Sequence, residues 1–215
     1  MRVLAIECAT EACSAALFDE DALLGGFCEV LGRGHAERLV PMIADLPDKG
    51  RADRILVSLG PGSFTGVRIG IAAARALGLA WQAQVLGYPT LALVAAQARA
   101  LHPASSVTVC MNGGHGECFV QDFDDQGLPA GMLASIPMAK LGDHPDQPVI
   151  AGNKAQDKAA TSATNACAEH MLPDARTILA LPTTLLTSNL APIYGRAPDA
   201  KPAASRPAQS RPAGA

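Results

Sequence analysis

The chain has 215 residues, 49% of them hydrophobic and 17% charged, which supports a sizeable core and excludes global disorder. Its formal net charge is −3 and its basic residues form no run, which argues against tight nucleic-acid binding by this chain alone. Six scattered cysteines with no Cys-x-x-Cys pair read as reduced thiols of a cytoplasmic protein, and no apolar run reaches membrane-spanning length.

Val3 to Ile6 predicts a first strand, and Glu7 interrupts the apolar run too early for a signal peptide. Cys13 to Phe18 predicts a second strand and Leu23 to Val30 a third, so the chain opens as an antiparallel meander whose first turn carries Thr10. After Gly32-Arg33-Gly34, a helix is expected from His35 to Leu46. Ala36, Leu39, Val40, Ile43 and Leu46 would form its inner face, with a bend at Pro41. His35 has no second ligand one turn later, where Leu39 stands, so it reads as a capping or interface group rather than a metal ligand.

Arg54 to Leu59 reads as a buried strand, and Val67 to Gln82 as an Ala- and Leu-rich helix. Between them lies Gly60-Pro61-Gly62-Ser63-Phe64-Thr65-Gly66, with Ser63 or Thr65 as the helix cap. The loop has no lysine, as a mononucleotide loop requires. Its third glycine comes one place too late for the dinucleotide pattern, and Gly62 directly precedes Ser63, which breaks the nucleophile elbow. Two readings stay open: a tight strand-to-helix turn, or an anion site at a helix start. Val85 to Gly87 is a further short strand, and Thr90 is expected to cap a helix running from Leu91 to Leu101.

The opening pattern then recurs. Val107 to Cys110, the turn Asn112 to Gly116, Cys118 to Phe123 and the acidic turn at Asp124-Asp125 repeat strand, turn, strand, acidic turn. Pro148 to Ala151 is a plausible strand. Lys154 to His170 is weakly patterned, Pro173 to Leu181 suggests a short helix, and Ala191 to Arg196 a last strand. The expected organisation is a duplicated α/β fold: an N-terminal lobe over residues 1–103, a less regular lobe over 104–196, and a Pro/Ala-rich disordered tail over 197–215 whose removal should leave the fold intact.

Three stretches carry a resemblance to a known family. Ile6-Glu7-Cys8-Ala9-Thr10, His35-Ala36-Glu37-Arg38-Leu39-Val40-Pro41 and Gly60 to Gly70 resemble the TsaB (YeaZ) family, over roughly the first half of the chain. Gly116-Glu117-Cys118-Phe119 and Pro192-Ile193-Tyr194-Gly195-Arg196 are similar to its later motifs. The resemblance implies the duplicated fold of actin, hexokinase and chaperone ATPases. It also implies a non-catalytic partner of a TsaD-like enzyme, which transfers a threonylcarbamoyl group to the adenosine beside the tRNA anticodon, with a TsaE-like ATPase joining the pair. Contact with tRNA would be indirect, and a homodimer would be an alternative assembly. The family's Asp-Thr-Ser-Thr is here Glu7-Cys8-Ala9-Thr10, and its Asp-Ala-Arg-Arg is Asn112-Gly113-Gly114-His115, which removes hydroxyls and two arginines from the two turns.

No catalytic residue, metal ligand or required cofactor is expected, and the isolated chain should show no appreciable ATPase activity. Any nucleotide would bind weakly, against Thr10, Gly60, Gly62, Ser63, Thr65 and Gly66. The rival readings are an ATP-binding, kinase-like enzyme of the same fold, relying on Glu7 and Thr10, and a metallopeptidase, for which the five histidines show no ligand spacing. On a helical wheel Gly66, Gly70, Ala73, Leu77 and Ala80 form a small-residue stripe expected to pack inward. The opposite face, with Arg68, Ile71, Ala72, Arg75 and Leu79, has no acid or lysine. With His35, Arg38 and Met42 it is the predicted partner surface.

Overall fold

The computed structural model describes residues 1–162 and 164–196; the tail expected over 197–215 lies outside the described residues. The first sheet is built from β1 (Arg2–Glu7), β2 (Ala12–Asp19), β3 (Ala22–Val30), β4 (Arg54–Ser58) and β5 (Gln84–Tyr88), in the order β3-β2-β1-β4-β5. The meander β1-β2-β3 is antiparallel, whereas β4 and β5 join parallel to β1. Residues of β1 and β4 are buried almost throughout, as expected for central strands covered on both faces.

The second sheet holds β6 (Val107–Gly114), β7 (Glu117–Phe123), β8 (Ala134–Pro137), β9 (Val149–Ala151) and β10 (Cys167–Glu169). Read from the β8 edge its order is β8-β7-β6-β9-β10, the same as the first sheet, with the same pattern of antiparallel and parallel pairs. The duplication expected from the repeated pattern is therefore carried by all five strands of each sheet. α1 (His35–Ala44) and α2 (Phe64–Trp81) cover the outer face of the first sheet, where Leu39, Met42, Ile43, Val67, Ile71 and Ala74 meet Leu4, Ile6 and Val57. α3 (Thr90–Leu101) lies between the sheets, its Leu91, Val94, Ala95 and Ala98 packed with Ala5 and Leu56 on one side and Val107, Val109 and Val149 on the other. A helix apolar all round belongs in such a position. Each leucine buried there stabilises the fold by about 1.5–3 kcal/mol.

The second lobe is smaller because its helices are reduced. α4 (Ala155–Ala159), between β9 and β10, takes the place that α2 holds between β4 and β5. It is anchored by Lys158, fully buried, which pairs with Asp146 and donates to the His144 carbonyl at 2.7 Å. After β10 the chain returns to the first lobe. The Ala175 N–H donates to Ser14 Oγ at 2.9 Å, Gly87 and Thr187 exchange backbone hydrogen bonds, and the Ile193 N–H donates to the Leu59 carbonyl at 2.7 Å.

Several sequence expectations are corrected. Thr90 is the first residue of α3 and Pro89 its cap; the Thr90 N–H is held by the Gly60 carbonyl at 2.8 Å, which draws it into the helix. Ala191 to Arg196 forms no strand, because its backbone pairs with the Leu59 loop rather than with a sheet. The strands β8 and β10 were not legible in the sequence. The inner face of α2 is Gly66, Val67, Gly70, Ile71, Ala74 and Gly78 rather than the stripe through Ala73, Leu77 and Ala80. Likewise α1 buries His35, Leu39, Met42 and Ile43, leaving Ala36 and Val40 outside.

Candidate functional site: an interlobe cleft and an outer helical face

Between the lobes runs a cleft of about 1170 Å³. It is lined by the β1–β2 turn, the Gly-rich loop, the start of α1, the β6–β7 turn and Tyr194 to Arg196. Two of its walls are pressed together. The Ser63 N–H donates to the Ala9 carbonyl at 2.7 Å, and a Cβ at Gly62 or Gly66 would lie 2.0 Å from the Ala9 or Cys8 carbonyl oxygen. Glycine is required at both places for this approach. Gly60, at φ 94, turns the loop, and Ser63 caps α2 by accepting from the Gly66 N–H at 3.2 Å.

Of the six residues expected at a phosphate loop, Thr10, Gly62, Ser63, Thr65 and Gly66 line the cleft, while Gly60 is buried behind it. Two loop N–H groups, on Ser63 and Gly66, are already engaged within the protein. At the cleft mouth the Arg68 guanidinium lies 3.4 Å over the Phe64 ring and donates to the Tyr194 hydroxyl at 2.7 Å, and the two rings stack at 5.9 Å. Such a cation–aromatic cluster closes one end of the cleft and fixes the returning chain. Across it, Asn153 Nδ2 donates to Glu11 Oε1 at 2.8 Å while its Oδ1 accepts from the Asn112 N–H at 2.8 Å, bridging the two turns.

Glu7, the acid on which a kinase-like reading would rely, turns away from the cleft. It is fully buried, accepts from the Ala9 N–H at 2.6 Å and from the Tyr88 hydroxyl at 3.3 Å, and so braces the first turn from behind. Burial pushes its pKa up to about 7, against the partial opposition of the Ala9 N–H. An acid whose folded pKa exceeds its unfolded value of 4.5 binds a proton on folding, so its contribution to stability is greatest below pH 4.5 and is lost as pH rises to about 7. Glu7→Gln should therefore flatten this part of the stability profile, removing a decline on the order of 3 kcal/mol across that window. Urea unfolding of both proteins at several pH values checks this. A wild-type profile already flat between those limits would show that Glu7 is not the titrating group.

The predicted partner surface is divided by the structure. Arg68, Ala72, Arg75 and Leu79 do lie on the exposed face of α2, and Leu79 is 85% exposed. Met42 and Ile71 do not: they are core residues, 0% and 5% exposed, because both helices are rotated from the wheel assumed above. His35 is also buried, its Nε2 3.3 Å from the Ala12 carbonyl. Arg38 is half-buried and occupied by a two-pronged pairing with Glu29 at 2.5 and 2.8 Å. The two helices also expose Val40, 60% exposed, with Ala44 and Ala76. On α2 the signal for Ala76 is Gly70 and Gly78, where a Cβ would meet Val57 at 3.4 Å and Val85 at 2.4 Å, so the side of closest approach fixes which face of that helix points outward; α1 has no glycine to mark its inner side.

Comparison with known proteins places this architecture. Residues 22–180 match the family model described as TsaD: tRNA N6-adenosine threonylcarbamoyltransferase. The chain is 36% identical over 135 residues to the tRNA threonylcarbamoyladenosine biosynthesis protein TsaB of Escherichia coli, covering 60% of this chain and 58% of that protein. It is 32% identical over 210 residues to an uncharacterized protein of Mycobacterium tuberculosis, covering 94% of this chain and 95% of the relative. Among solved structures it resembles YeaZ from Pseudomonas aeruginosa, with a TM-score of 0.75 at 29% identity over 90% of this chain and 99% of that one. The match spans little more than half the length of the curated TsaB relatives, 58% and 52% for the first two.

Proposed function

The chain belongs to the TsaB (YeaZ) family, and from that premise we propose that it is the non-catalytic partner subunit of a tRNA threonylcarbamoyladenosine-forming complex. It binds and supports a TsaD-like catalytic subunit, which a TsaE-like ATPase joins, and meets tRNA only through that assembly in the cytoplasm. The observation that carries this reading is the outer face of α1 and α2. Val40, Ala44, Ala72, Ala76 and Leu79 are exposed together with Arg75; the α2 face carries no acid and no lysine, and Glu37 at the start of α1 is the acid beside Val40. Apolar residues mixed with arginine and depleted of lysine and glutamate mark a protein interface rather than a solvated helix. Among the described residues no helix is long and apolar enough to cross a membrane.

The cleft supports a scaffolding role over a kinase-like one. Its Gly-rich loop is spent on packing against the first turn, and Glu7 is withdrawn from solvent. Any nucleotide the chain holds would lie against Gly62, Ser63 and Thr65, without turnover and without a required cofactor. Co-purification from the native cell tests the assignment: a TsaD-like protein should accompany the chain at near-equal amounts. The purified chain alone should hydrolyse no ATP above background, and Thr10→Ala should change nothing. Hydrolysis abolished by Thr10→Ala in a folded protein would move the assignment to the enzyme reading.

A further inference from the structure

The fold assembles three ligand-bearing side chains that lie far apart in sequence and outside the cleft. His102 follows the last turn of α3, and Cys167 and Glu169 stand two apart on β10, so both project from the same face of that strand. Their ligand atoms form a compact triangle: His102 Nε2 to Glu169 Oε1 is 2.8 Å, Cys167 Sγ to Glu169 Oε1 is 3.6 Å, and Cys167 Sγ to His102 Nε2 is 3.8 Å. All three lie within 4.8 Å of one another, the only such group of three or more among the described residues.

These distances are close to what a tetrahedral ion demands. With bonds of about 2.3 Å to sulfur and about 2.1 Å to nitrogen or oxygen, sulfur stands roughly 3.6 Å from each lighter ligand. The two sulfur distances already satisfy this. The nitrogen–oxygen pair needs to part by only roughly half an ångström, exchanging its hydrogen bond for two metal bonds. The site is also reachable: His102 and Glu169 side chains are 28% and 31% exposed, and Cys167 is exposed.

We propose that His102, Cys167 and Glu169 bind a zinc-class divalent cation through one nitrogen, one sulfur and one oxygen, with water completing the shell. Thiolate and imidazole select a borderline ion of this class over magnesium or calcium. On binding, the Cys167 thiol loses its proton to solvent as the sulfur–metal bond forms, and His102 coordinates through a neutral ring. The ion would clamp the end of α3, the helix packed between both sheets, to the three-residue strand β10, which among the described residues pairs only with β9. Its role is therefore structural, fastening the outermost strand of the second lobe, and it is independent of the partner assignment.

Zinc chloride and cobalt chloride are the probes, titrated into the full chain under a non-thiol reductant. One equivalent should bind, the cobalt form should show a thiolate-to-cobalt charge-transfer band, and zinc should slow amide exchange in Cys167 to Glu169. Cys167→Ser should abolish the band, and His102→Gln and Glu169→Gln should each weaken binding by about tenfold or more. Absence of the band in the wild-type protein overturns the proposal whether or not the variants fold. So does a band that persists in Cys167→Ser, which would place the metal on another cysteine.

Discussion

Gly66→Ala is expected to be among the most damaging single-methyl changes in the molecule, lowering stability by about 4 kcal/mol. The new Cβ would sit 2.0 Å from the Cys8 carbonyl oxygen, well inside contact distance, and the obstacle is backbone rather than a side chain that could swing aside. Relief requires either α2 to withdraw from the first sheet or the β1–β2 turn to move. The first separates Val67 and Ile71 from Ile6 and Val57; the second disturbs the Glu7 hydrogen bonds. Overpacking of a well-filled core ordinarily costs about 1–3 kcal/mol, and here no flexible neighbour absorbs it. Gly131→Ala is the control, since a Cβ there meets nothing within 4 Å. Urea unfolding should separate the two variants clearly. A Gly66→Ala protein within about 1 kcal/mol of wild type would show that loop and turn are not in fixed contact.

Val40→Glu combined with Leu79→Glu should leave the chain folded and weaken its association with a TsaD-like subunit by about 3 kcal/mol, on the order of a hundredfold in Kd. Both side chains are largely exposed, 60% and 85%, so charges there disturb little in the free protein. In a complex each carboxylate would be desolvated against an apolar partner, a cost that Arg75, one turn before position 79 on α2, offsets only in part. Leu23→Glu combined with Leu24→Glu, on β3 and 49% and 39% exposed, serves as a charge-matched comparison away from these helices. Calorimetry reads the partner affinity and ultracentrifugation any self-association. Tight binding retained by the folded double variant would exclude this face. Ile71 is unsuited to such a test, because a charge in its buried site would unfold the protein before any partner was lost.

The strands of the first sheet could be read from the sequence because they are largely apolar runs bounded by turns, buried almost throughout in β1, β2 and β4 though not in β3, and the second meander because it repeats the first. β10 could not. Three residues, two of them polar or weakly apolar, carry no period, and their position is set by pairing with β9. The face of α2 failed for a different reason. In an Ala-rich helix the hydrophobic contrast between faces is slight, so a wheel can be rotated by one residue without penalty, and only the glycines at close approach fix it. At the cleft, the loop glycines were legible as a need for close approach but not the object approached. That object is the chain's own first turn. Glu7 illustrates the same limit, since its position after a strand suits a cleft-facing acid as well as a buried brace. The His102, Cys167 and Glu169 cluster rests on contacts 65 and 67 residues apart, which no local spacing discloses.

The return of the chain after β10 bears on how the protein is made. During synthesis the first lobe leaves the ribosome with its sheet, α1, α2 and α3 in hand, but without the strap that completes it. Gly87 waits for Thr187 and Leu59 waits for Ile193, separations of nearly half the chain or more. Contacts so distant in sequence slow folding, since the intervening chain must be ordered before they form. Until then the first lobe lacks the Gly87–Thr187 bridge on its β5 edge and the Tyr194 ring that stacks on Phe64. Closure of the first lobe therefore depends on residues 187 to 193, which are made a hundred or more positions after the groups they seal.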